Sequence, residues 1–215
     1  QLNKNFSTIG FDINKKRINT LNKSYDFNNE HTRSELKLKN KSIYTNNVKH
    51  LKKSNFYIIA VPTPVKKNNE PDLKDLIDVS KLVAKKINPG DIIVFESTVY
   101  PGTTKMLIDK YLNKISKLNE GTDYHVAYSP ERINPGDKKH NIKNVKKVLA
   151  IPTSNRKIKN TITKVYYKVT QNLIFTNSIE NAETAKVIEN IQRDLNIAFM
   201  NDVFIFSNKM NLDYK

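Results

Sequence analysis

The sequence predicts an α/β protein with a doubly wound parallel sheet, followed by a long helix. Three observations support this prediction. Short, almost continuously apolar segments such as 56–61 alternate with longer segments of helical periodicity, which is the order expected when helices connect parallel strands. Strands this apolar are buried on both faces. Residues 179–209 contain neither Pro nor Gly and are rich in helix formers, so they form one long helix.

The predicted elements follow one another without an internal repeat or a low-complexity linker. Proline follows the apolar segments 56–61 and 124–128, and Pro89-Gly90 ends a helix whose apolar residues recur with a period close to 3.6. In chain order, the predicted strands are 8–13, 56–61, 91–95, 124–128, 145–151 and 173–175. The predicted helices are 15–21, two short ones near 34–38 and 48–53, and then 73–87, 103–114, 157–169 and 179–209. We expect a domain boundary near residue 177.

The length and the amino-acid composition exclude several classes of protein and of chemical site. The 215 residues have the size of one large domain, or of one domain and part of a second. There is no Cys, which excludes disulfides, Cys-ligated metals and a thiol nucleophile within this chain. The four His show no paired spacing, so no metal site is predicted. The apolar runs are too short to cross a bilayer and the polar start carries no signal peptide, and a cytoplasmic protein without membrane association is therefore expected.

The strongly basic composition is compatible with two interpretations. The net charge is +16, from 37 Lys and Arg against 21 Asp and Glu, and such an excess is typical of nucleic-acid-binding domains. However, only five of the basic residues are Arg, and the lysines are spread along the chain, whereas a phosphate-binding patch is clustered. We attribute the charge to compositional bias and expect no nucleic-acid partner. A basic nucleic-acid-binding domain stays as an alternative.

Polar residues stand directly after the predicted strands, where doubly wound sheets bind their ligands. The residues at these strand ends are Asp12, Pro62-Thr63-Pro64, Ser97-Thr98 and Ser129-Pro130-Glu131. Asp12 could bind the ribose hydroxyls of an adenosine and favour NAD over NADP, or it could cap the helix that follows. The five glycines form no GxGxxG. We therefore expect the first strand and the glycine-rich loop of such a domain to lie before Gln1.

Each of the further candidate catalytic residues also has a non-catalytic interpretation. Glu183, Lys186 and Asn190 share one face of the long helix. A Lys and an Asn one turn apart could stabilise an oxyanion, although three polar residues on one face more often mark a solvated surface. Glu131 could act as a general acid or base, or pair with the arginine that follows it. Thr98 could orient water or substrate, or cap a turn.

Four segments together resemble the nucleotide-sugar 6-dehydrogenase family, which includes UDP-glucose and GDP-mannose dehydrogenases. They are IIAVPTPV at 58–65, VFESTVYPGTT at 94–104, YSPERINPGDKKH at 128–140 and AETAKVIENIQRDLNIAFMND at 182–202. The resemblance runs in one register from about Phe6 to the last residue. The ERINPGDK and QRDLNIA segments are most similar to the branch that acts on UDP-N-acetylhexosamines (UDP-N-acetylglucosamine or UDP-N-acetylgalactosamine) in bacterial capsule and O-antigen synthesis.

The resemblance implies a domain organisation and a reaction. Residues 1–177 would form a Rossmann-like NAD-binding domain that lacks its start, and residues 178–215 the start of a central helical dimerisation domain. The C-terminal nucleotide-sugar domain with its catalytic Cys is absent from this sequence. The reaction implied is oxidation of the C6 hydroxyl of a UDP-sugar to a carboxylate with two NAD⁺, by a homodimer formed through the long helix. We expect this chain to be an incomplete piece of such an enzyme and to be inactive in isolation.

The same resemblance assigns roles to individual residues. It implies that Thr98 holds a catalytic water and that Lys186, assisted by Asn190, stabilises oxyanion intermediates. The cofactor-binding residues implied are Asp12, Arg17, Val61, Pro62, Thr63, Ser97 and Thr98. The catalytic residues implied are Thr98, Glu131, Lys186 and Asn190. A β-hydroxyacid dehydrogenase is the alternative enzyme, because that family also places a Lys-x-x-x-Asn on a long helix, but it lacks the PTP turn and the SPERINPG loop.

Overall fold

A computed structural model describes residues 2–28, 31–38, 41–131 and 145–213 of the chain. Its strands are β1 (Ile9–Phe11), β2 (Ile43–Thr45), β3 (Phe56–Ile59), β4 (Ile92–Phe95), β5 (His125–Tyr128), β6 (Lys147–Ala150) and β7 (Leu173–Thr176). Its α-helices are α1 (Lys15–Asn22), α2 (Arg33–Leu36), α3 (Lys74–Ala84), α4 (Thr103–Leu107), α5 (Asn113–Ser116), α6 (Arg156–Tyr166) and α7 (Ile179–Lys209). Short 3₁₀ helices span Leu2–Lys4 and Val48–Lys53, and a π-helical turn, Ile108–Leu112, joins α4 to α5.

The described strands form two sheets, and the predicted α/β class is confirmed. β1 and β2 pair in parallel as a two-stranded sheet, and β3 to β7 form a five-stranded sheet in chain order. Within the larger sheet the pairs β3–β4, β4–β5 and β6–β7 are parallel. Each of these pairs is joined by helix, as parallel strands require. β5 and β6 pair antiparallel, between Tyr128 and Ala150, so the sheet is not parallel throughout as predicted.

Strand β2 is the element that the sequence analysis does not predict. It has only three residues, it lies in the polar segment 24–50, and its Ile43 is exposed. Periodicity cannot indicate so short a strand, because three residues do not establish an alternation. β2 forms because its backbone pairs with β1, with Ile43 opposite Ile9.

Helices cover both faces of the five-stranded sheet. On one face, Leu76 of α3 and Leu107 of α4 pack in a core cluster with Phe95 of β4. On the other face, Ile162 of α6 packs in a second cluster with Val94 of the same strand. Neighbouring strand residues point to opposite faces, so both faces of β4 are buried. The near-continuous apolar character of this strand follows from that burial.

The long helix α7 begins and ends as predicted, at Ile179 and Lys209. The Ser178 side chain caps it by accepting a hydrogen bond from the backbone N–H of Asn181, 3.0 Å away. Its 31 residues give it a length of about 46 Å. Its later turns expose large apolar side chains, which are Ile188, Ile191, Leu195, Ile197, Phe199, Met200, Phe204, Ile205 and Phe206. None of the described helices combines the length and the hydropathy that crossing a membrane requires.

Candidate active site

A groove of about 650 Å³ lies between β1 of the small sheet and β3 of the large sheet. Apolar residues of both strands and of α3 line most of it. Where β1 and β3 end, the lining is formed by residues 12–14 and 60–62. Among the described strands, β1 pairs only with β2 and β3 only with β4. The groove therefore has apolar walls along its strands and a polar group, Asp12, at the strand ends.

Asp12 lies directly after β1 and keeps an accessible carboxylate. Its Oδ1 accepts a hydrogen bond from the backbone N–H of Asn14 at 2.8 Å, and its Oδ2 lies 3.8 Å from Nε of Arg17. About a third of its side chain is exposed (38%). The N-cap of α1 is Asn14, whose side chain accepts from the backbone N–H of Arg17. The alternative that Asp12 itself caps this helix is therefore wrong.

The segments that follow β3 and β4 are tied together by hydroxyl groups. Ser97 Oγ accepts from the backbone N–H of Val61 at 3.1 Å and donates to the Val61 carbonyl at 2.7 Å. Thr63 Oγ1 donates to the carbonyl of Thr98 at 2.7 Å. The Ser97 and Thr63 hydroxyls thus hold the two segments in place. Pro62 lies between these ties and lines the groove together with Val61.

The segment after β5 joins the same assembly. Tyr128, which is fully buried, donates its hydroxyl hydrogen to the carbonyl of Ser97 at 3.1 Å. The backbone N–H of Glu131 donates to the carbonyl of Glu96 at 3.3 Å. Glu131 is half-buried, and Arg132, its alternative partner, lies outside the described residues. Residues at the carboxyl ends of the three neighbouring strands β3, β4 and β5 are therefore joined.

Glu183 attaches the long helix to this assembly. Its side chain is fully buried, and its two carboxylate oxygens accept from the backbone N–H groups of Gly102 at 2.7 Å and Thr104 at 2.9 Å. These groups belong to the first turn of α4, where a negative charge is favoured by the helix dipole. Gly102 has φ +85°, a conformation that residues with a side chain rarely adopt. Burial raises the pKa of the Glu183 carboxyl.

Lys186 lies one turn beyond Glu183 on the same face of α7. Only 7% of this residue is exposed, and its Nζ lies 3.9 Å from Oε2 of Glu189. Asn190, one further turn along, is half-buried. The interpretation of this face as a solvated surface is therefore wrong for Glu183 and Lys186. Burying an ammonium group is costly unless it is paired, and the Glu189 carboxylate is a partner for Lys186.

The groove brings together some of the candidate residues and not others. Asp12, Val61 and Pro62 line the groove, and Arg17 lies beside Asp12 on α1. Thr98, Glu131, Lys186 and Asn190 are not among the groove-lining residues. The paired hydrogen bonds between Val61 and Ser97 connect the groove to the segment that contains Thr98.

A buried charged cluster beneath Glu131 was missed by the sequence analysis. Lys147 of β6 has its Nζ 3.3 Å from Oε1 of Glu96, and the Tyr166 hydroxyl donates to the same oxygen at 2.6 Å. Only 5% of Lys147 and 1% of Tyr166 is exposed. The one available signal is a lysine that opens an otherwise apolar strand, KVLA at 147–150.

Comparison with known families gives one match that covers most of the chain. The family model described as "UDP-glucose/GDP-mannose dehydrogenase family, NAD binding domain" matches residues 2–170. This range includes every candidate residue except those on α7. The match favours the nucleotide-sugar enzymes over the β-hydroxyacid dehydrogenases as relatives of this chain.

Individual relatives extend the similarity through α7. The chain is 44% identical to UDP-N-acetyl-D-glucosamine 6-dehydrogenase of Salmonella typhi over 214 residues, which is 99% of this chain and 50% of that protein. It is 49% identical to Protein CapL of Staphylococcus aureus over 207 residues, which is 95% of this chain and 48% of CapL. The solved structure of the UDP-D-ManNAc dehydrogenase from Pyrococcus horikoshii matches with a TM-score of 0.85 and 28% identity, over 97% of this chain and 50% of that one. The chain thus spans about half the length of these relatives.

Proposed function

The chain belongs to the UDP-glucose/GDP-mannose dehydrogenase family, and on this premise we propose that it forms the NAD-binding half of a cytoplasmic UDP-N-acetylhexosamine 6-dehydrogenase. The enzyme oxidises the C6 hydroxyl of the sugar to the uronic acid for capsule or O-antigen polysaccharide. UDP-N-acetylglucosamine is the first substrate to test, because it is named for the Salmonella typhi relative. The capsule assignment is supported by the similarity to CapL.

The residues present fit the adenosine end of NAD. At the strand ends of the groove, the exposed part of the Asp12 carboxylate can accept hydrogen bonds from ribose hydroxyls. The negative charge of Asp12 repels a 2′-phosphate and so favours NAD over NADP. Val61 and Pro62 line the same groove. When bound, NAD⁺ supplies the hydride acceptor.

The division of the chain into domains is part of the proposal. Residues 1–177 form the Rossmann-like domain, and residues 178–215 begin the helical dimerisation domain. Among the described strands, β1 pairs only with β2 and β3 only with β4, and both strands line the groove. We expect the first strand implied by the resemblance to lie between them. The glycine-rich loop expected from the resemblance would follow such a strand. The sugar contacts and the nucleophilic Cys would come from sequence outside these residues, since the relatives are about twice as long.

The observation that carries the catalytic part of the proposal is the burial of Lys186 on a helix fixed by Glu183. Glu183 is bonded to the first turn of α4, which follows the segment of Thr98. A lysine ammonium held there stabilises negative charge on a sugar oxygen, and Asn190 adds a hydrogen bond. Thr98 holds a water, and Glu131 accepts or donates a proton at the same site.

The function is tested with a full-length enzyme that contains this segment. We expect NADH formation with NAD⁺ and UDP-N-acetylglucosamine or UDP-N-acetylgalactosamine, and much less with UDP-glucose or with NADP⁺. The isolated 215 residues serve as the comparison, and we expect no turnover from them. Oxidation of a β-hydroxy acid without oxidation of any UDP-sugar would overturn the proposal.

Replacing Asp12 tests the cofactor site. We expect Asp12→Ala to weaken NAD⁺ binding at least about tenfold, because a hydrogen bond from a ribose hydroxyl to a carboxylate contributes about 1.5 to 3 kcal/mol and about 1.4 kcal/mol corresponds to a factor of ten. UDP-sugar binding should stay within twofold of wild type. Both affinities are measured by calorimetry on the full-length enzyme. Asp109→Ala, which removes an exposed carboxylate from the π-helical turn, is the control. Equal NAD⁺ affinity in wild type and Asp12→Ala would leave this carboxylate without a cofactor role.

The partner that covers α7 is proposed to be a second copy of the protein. The helix exposes nine large apolar side chains along its later turns, and exposed apolar surface of this extent marks an interface. Two-fold dimers are the commonest symmetric assemblies. Dimerisation through the long helix, which the resemblance implies, would cover these side chains.

We expect the double variant Leu195→Glu/Phe199→Glu to raise the dimer dissociation constant about 100-fold, since each change places a charge in an apolar contact. Leu195 and Phe199 lie one turn apart and are each about two-thirds exposed. Sedimentation equilibrium measures the change. Val65→Glu alters an equally exposed apolar residue away from α7 and should leave the dimer intact. A wild-type protein that is monomeric at all concentrations would contradict the proposed assembly.

A further inference from the structure

We propose that Lys147 is a positioning residue that fixes Glu131 by binding the two backbone carbonyls preceding it. This inference rests on the proposed function, because it concerns the glutamate assigned there as the proton-transfer group. Lys147 lies on β6, outside the four segments that carry the family resemblance. Its role is therefore argued from its contacts alone.

The ammonium group of Lys147 donates hydrogen bonds to two backbone carbonyls and forms an ion pair with one carboxylate. Oε1 of Glu96 lies 3.3 Å from Nζ. The carbonyl oxygens of Ser129 and Pro130 each lie 3.4 Å from the same atom. The group is thus both paired with a carboxylate and hydrogen-bonded inside the protein, which is what the burial of a charged lysine requires.

Two of these three acceptors belong to the segment that leads into Glu131. A third tie comes from Glu131 itself, whose backbone N–H donates to the carbonyl of Glu96 at 3.3 Å. The Ser129 hydroxyl donates to the carbonyl of Val148 at 2.7 Å, which fastens the segment to β6 beside Lys147. The backbone of residues 129–131 is therefore held by β4 and β6 together.

Tyr166 completes the cluster from α6. Its hydroxyl donates to Oε1 of Glu96 at 2.6 Å, so one carboxylate oxygen receives both the tyrosine and Lys147. Burial, and then the carboxylates of Glu96 and Glu131, raise the pKa of Tyr166. Without Lys147, the carbonyl oxygens of Ser129 and Pro130 would lose this hydrogen-bond donor. The backbone that sets the position of the Glu131 side chain would then be held less firmly.

The geometry predicts a specific result for Lys147→Met, which keeps the length of the side chain and removes the ammonium. In the full-length enzyme we expect kcat to fall about 100-fold, because a misplacement of about 1 Å in a reacting group costs this much. The KM for NAD⁺ should change less than twofold. Lys147→Arg, which keeps a cation with several donors, should recover most of kcat.

A double variant separates positioning from stability. Lys147→Met alone leaves the Glu96 carboxylate buried without its cation, and the melting temperature falls for that reason. Glu96→Gln/Lys147→Met removes both charges and should recover the melting temperature. We expect kcat to stay low in the double variant, because the carbonyls of Ser129 and Pro130 remain unbound. Recovery of kcat together with the melting temperature would overturn the inference.

Hydrogen exchange tests the same contact without any turnover. In Lys147→Met we expect the amide of Glu131 to exchange about tenfold faster, whereas the amides of Ile93 and Val94 in the buried strand β4 report only global opening. Lys146→Met removes the neighbouring exposed lysine and should change neither rate. If the exchange rate of the Glu131 amide is the same in Lys147→Met as in wild type, the proposed role of Lys147 is wrong. If the wild-type enzyme is inactive, by contrast, the proposed function is wrong, and the exchange rate of the Glu131 amide still tests whether Lys147 holds this segment.

Discussion

In the full-length enzyme proposed above, Lys186→Ala should lower kcat for UDP-sugar oxidation about 1000-fold, the effect of removing one preorganised group that stabilises an oxyanion. The structure supports so large an effect because the lysine is 93% buried, on a helix whose neighbouring Glu183 is bonded to two backbone N–H groups. A charge held in this way needs no rearrangement when negative charge develops on the substrate. The loss should therefore fall on the transition state rather than on binding.

Binding and turnover measurements distinguish this role from a structural one. The dissociation constant for NAD⁺ should stay within about threefold of wild type, and the melting temperature of each variant shows whether the fold is kept. Lys209→Ala removes a lysine from the exposed end of the same helix and should leave kcat unchanged. Equal losses in kcat and in NAD⁺ affinity would deprive Lys186 of its assigned role.

The second large effect is a steep loss of stability at alkaline pH. Burial raises the pKa of Tyr57 to about 12, and it raises the pKa values of Tyr124, Tyr128 and Tyr166 still further above the ordinary value near 10. Each of these hydroxyls donates a hydrogen bond to an oxygen atom inside the protein. Ionisation would break these bonds, so the folded state retains the protons.

Stability falls with rising pH because the unfolded chain loses the tyrosine protons at a lower pH than the folded chain. Above about pH 10 the unfolded chain releases these four protons, while the folded chain keeps them until the pH reaches the raised pKa values. The free energy of unfolding therefore falls as the pH rises through this window, by up to about 1.4 kcal/mol per pH unit for each tyrosine. Four such groups exceed a typical domain stability of about 5 to 15 kcal/mol within two or three pH units.

Urea unfolding measured between pH 8 and about pH 12 tests this prediction. We expect the slope of stability against pH in Tyr57→Phe to be smaller by about one proton. Tyrosinate absorbance in the four buried positions should appear only together with the loss of helical circular dichroism. A stability that stays constant up to pH 12 would show that these hydroxyls are more accessible than their burial indicates.

The sequence predicts most of the fold because the signals for its elements are local. The apolar segments of β3, β4 and β5 and the helical period of α3 are each contained within about fifteen residues, and α7 ends where its helix formers end. The antiparallel pairing of β5 with β6 is not contained in either strand. Its direction depends on the connection between them, which residue patterns within the strands do not encode.

For the candidate site, too, some features can be predicted from local sequence and others only from the folded chain. Residue type and position after a strand single out Asp12, Thr98 and Glu131, and the helical period places Glu183 and Lys186 on one face. The sequence leaves open whether Asp12 caps α1, and a neighbouring Asn14 takes that role in the folded chain. The ties from Ser97 to Val61 and from Tyr128 to Ser97 join residues more than thirty positions apart and have no signature in the sequence.

By itself, the sequence determined the fold class, the family and the order of elements that brings polar residues to the strand ends. Only the tertiary structure decided that Glu183 and Lys186 are buried and that Lys147 binds the backbone before Glu131. The physical reason is that hydrophobic periodicity and helical spacing are properties of neighbouring residues. The burial of a charge depends on which distant donors and acceptors the packed chain brings within hydrogen-bonding distance of it.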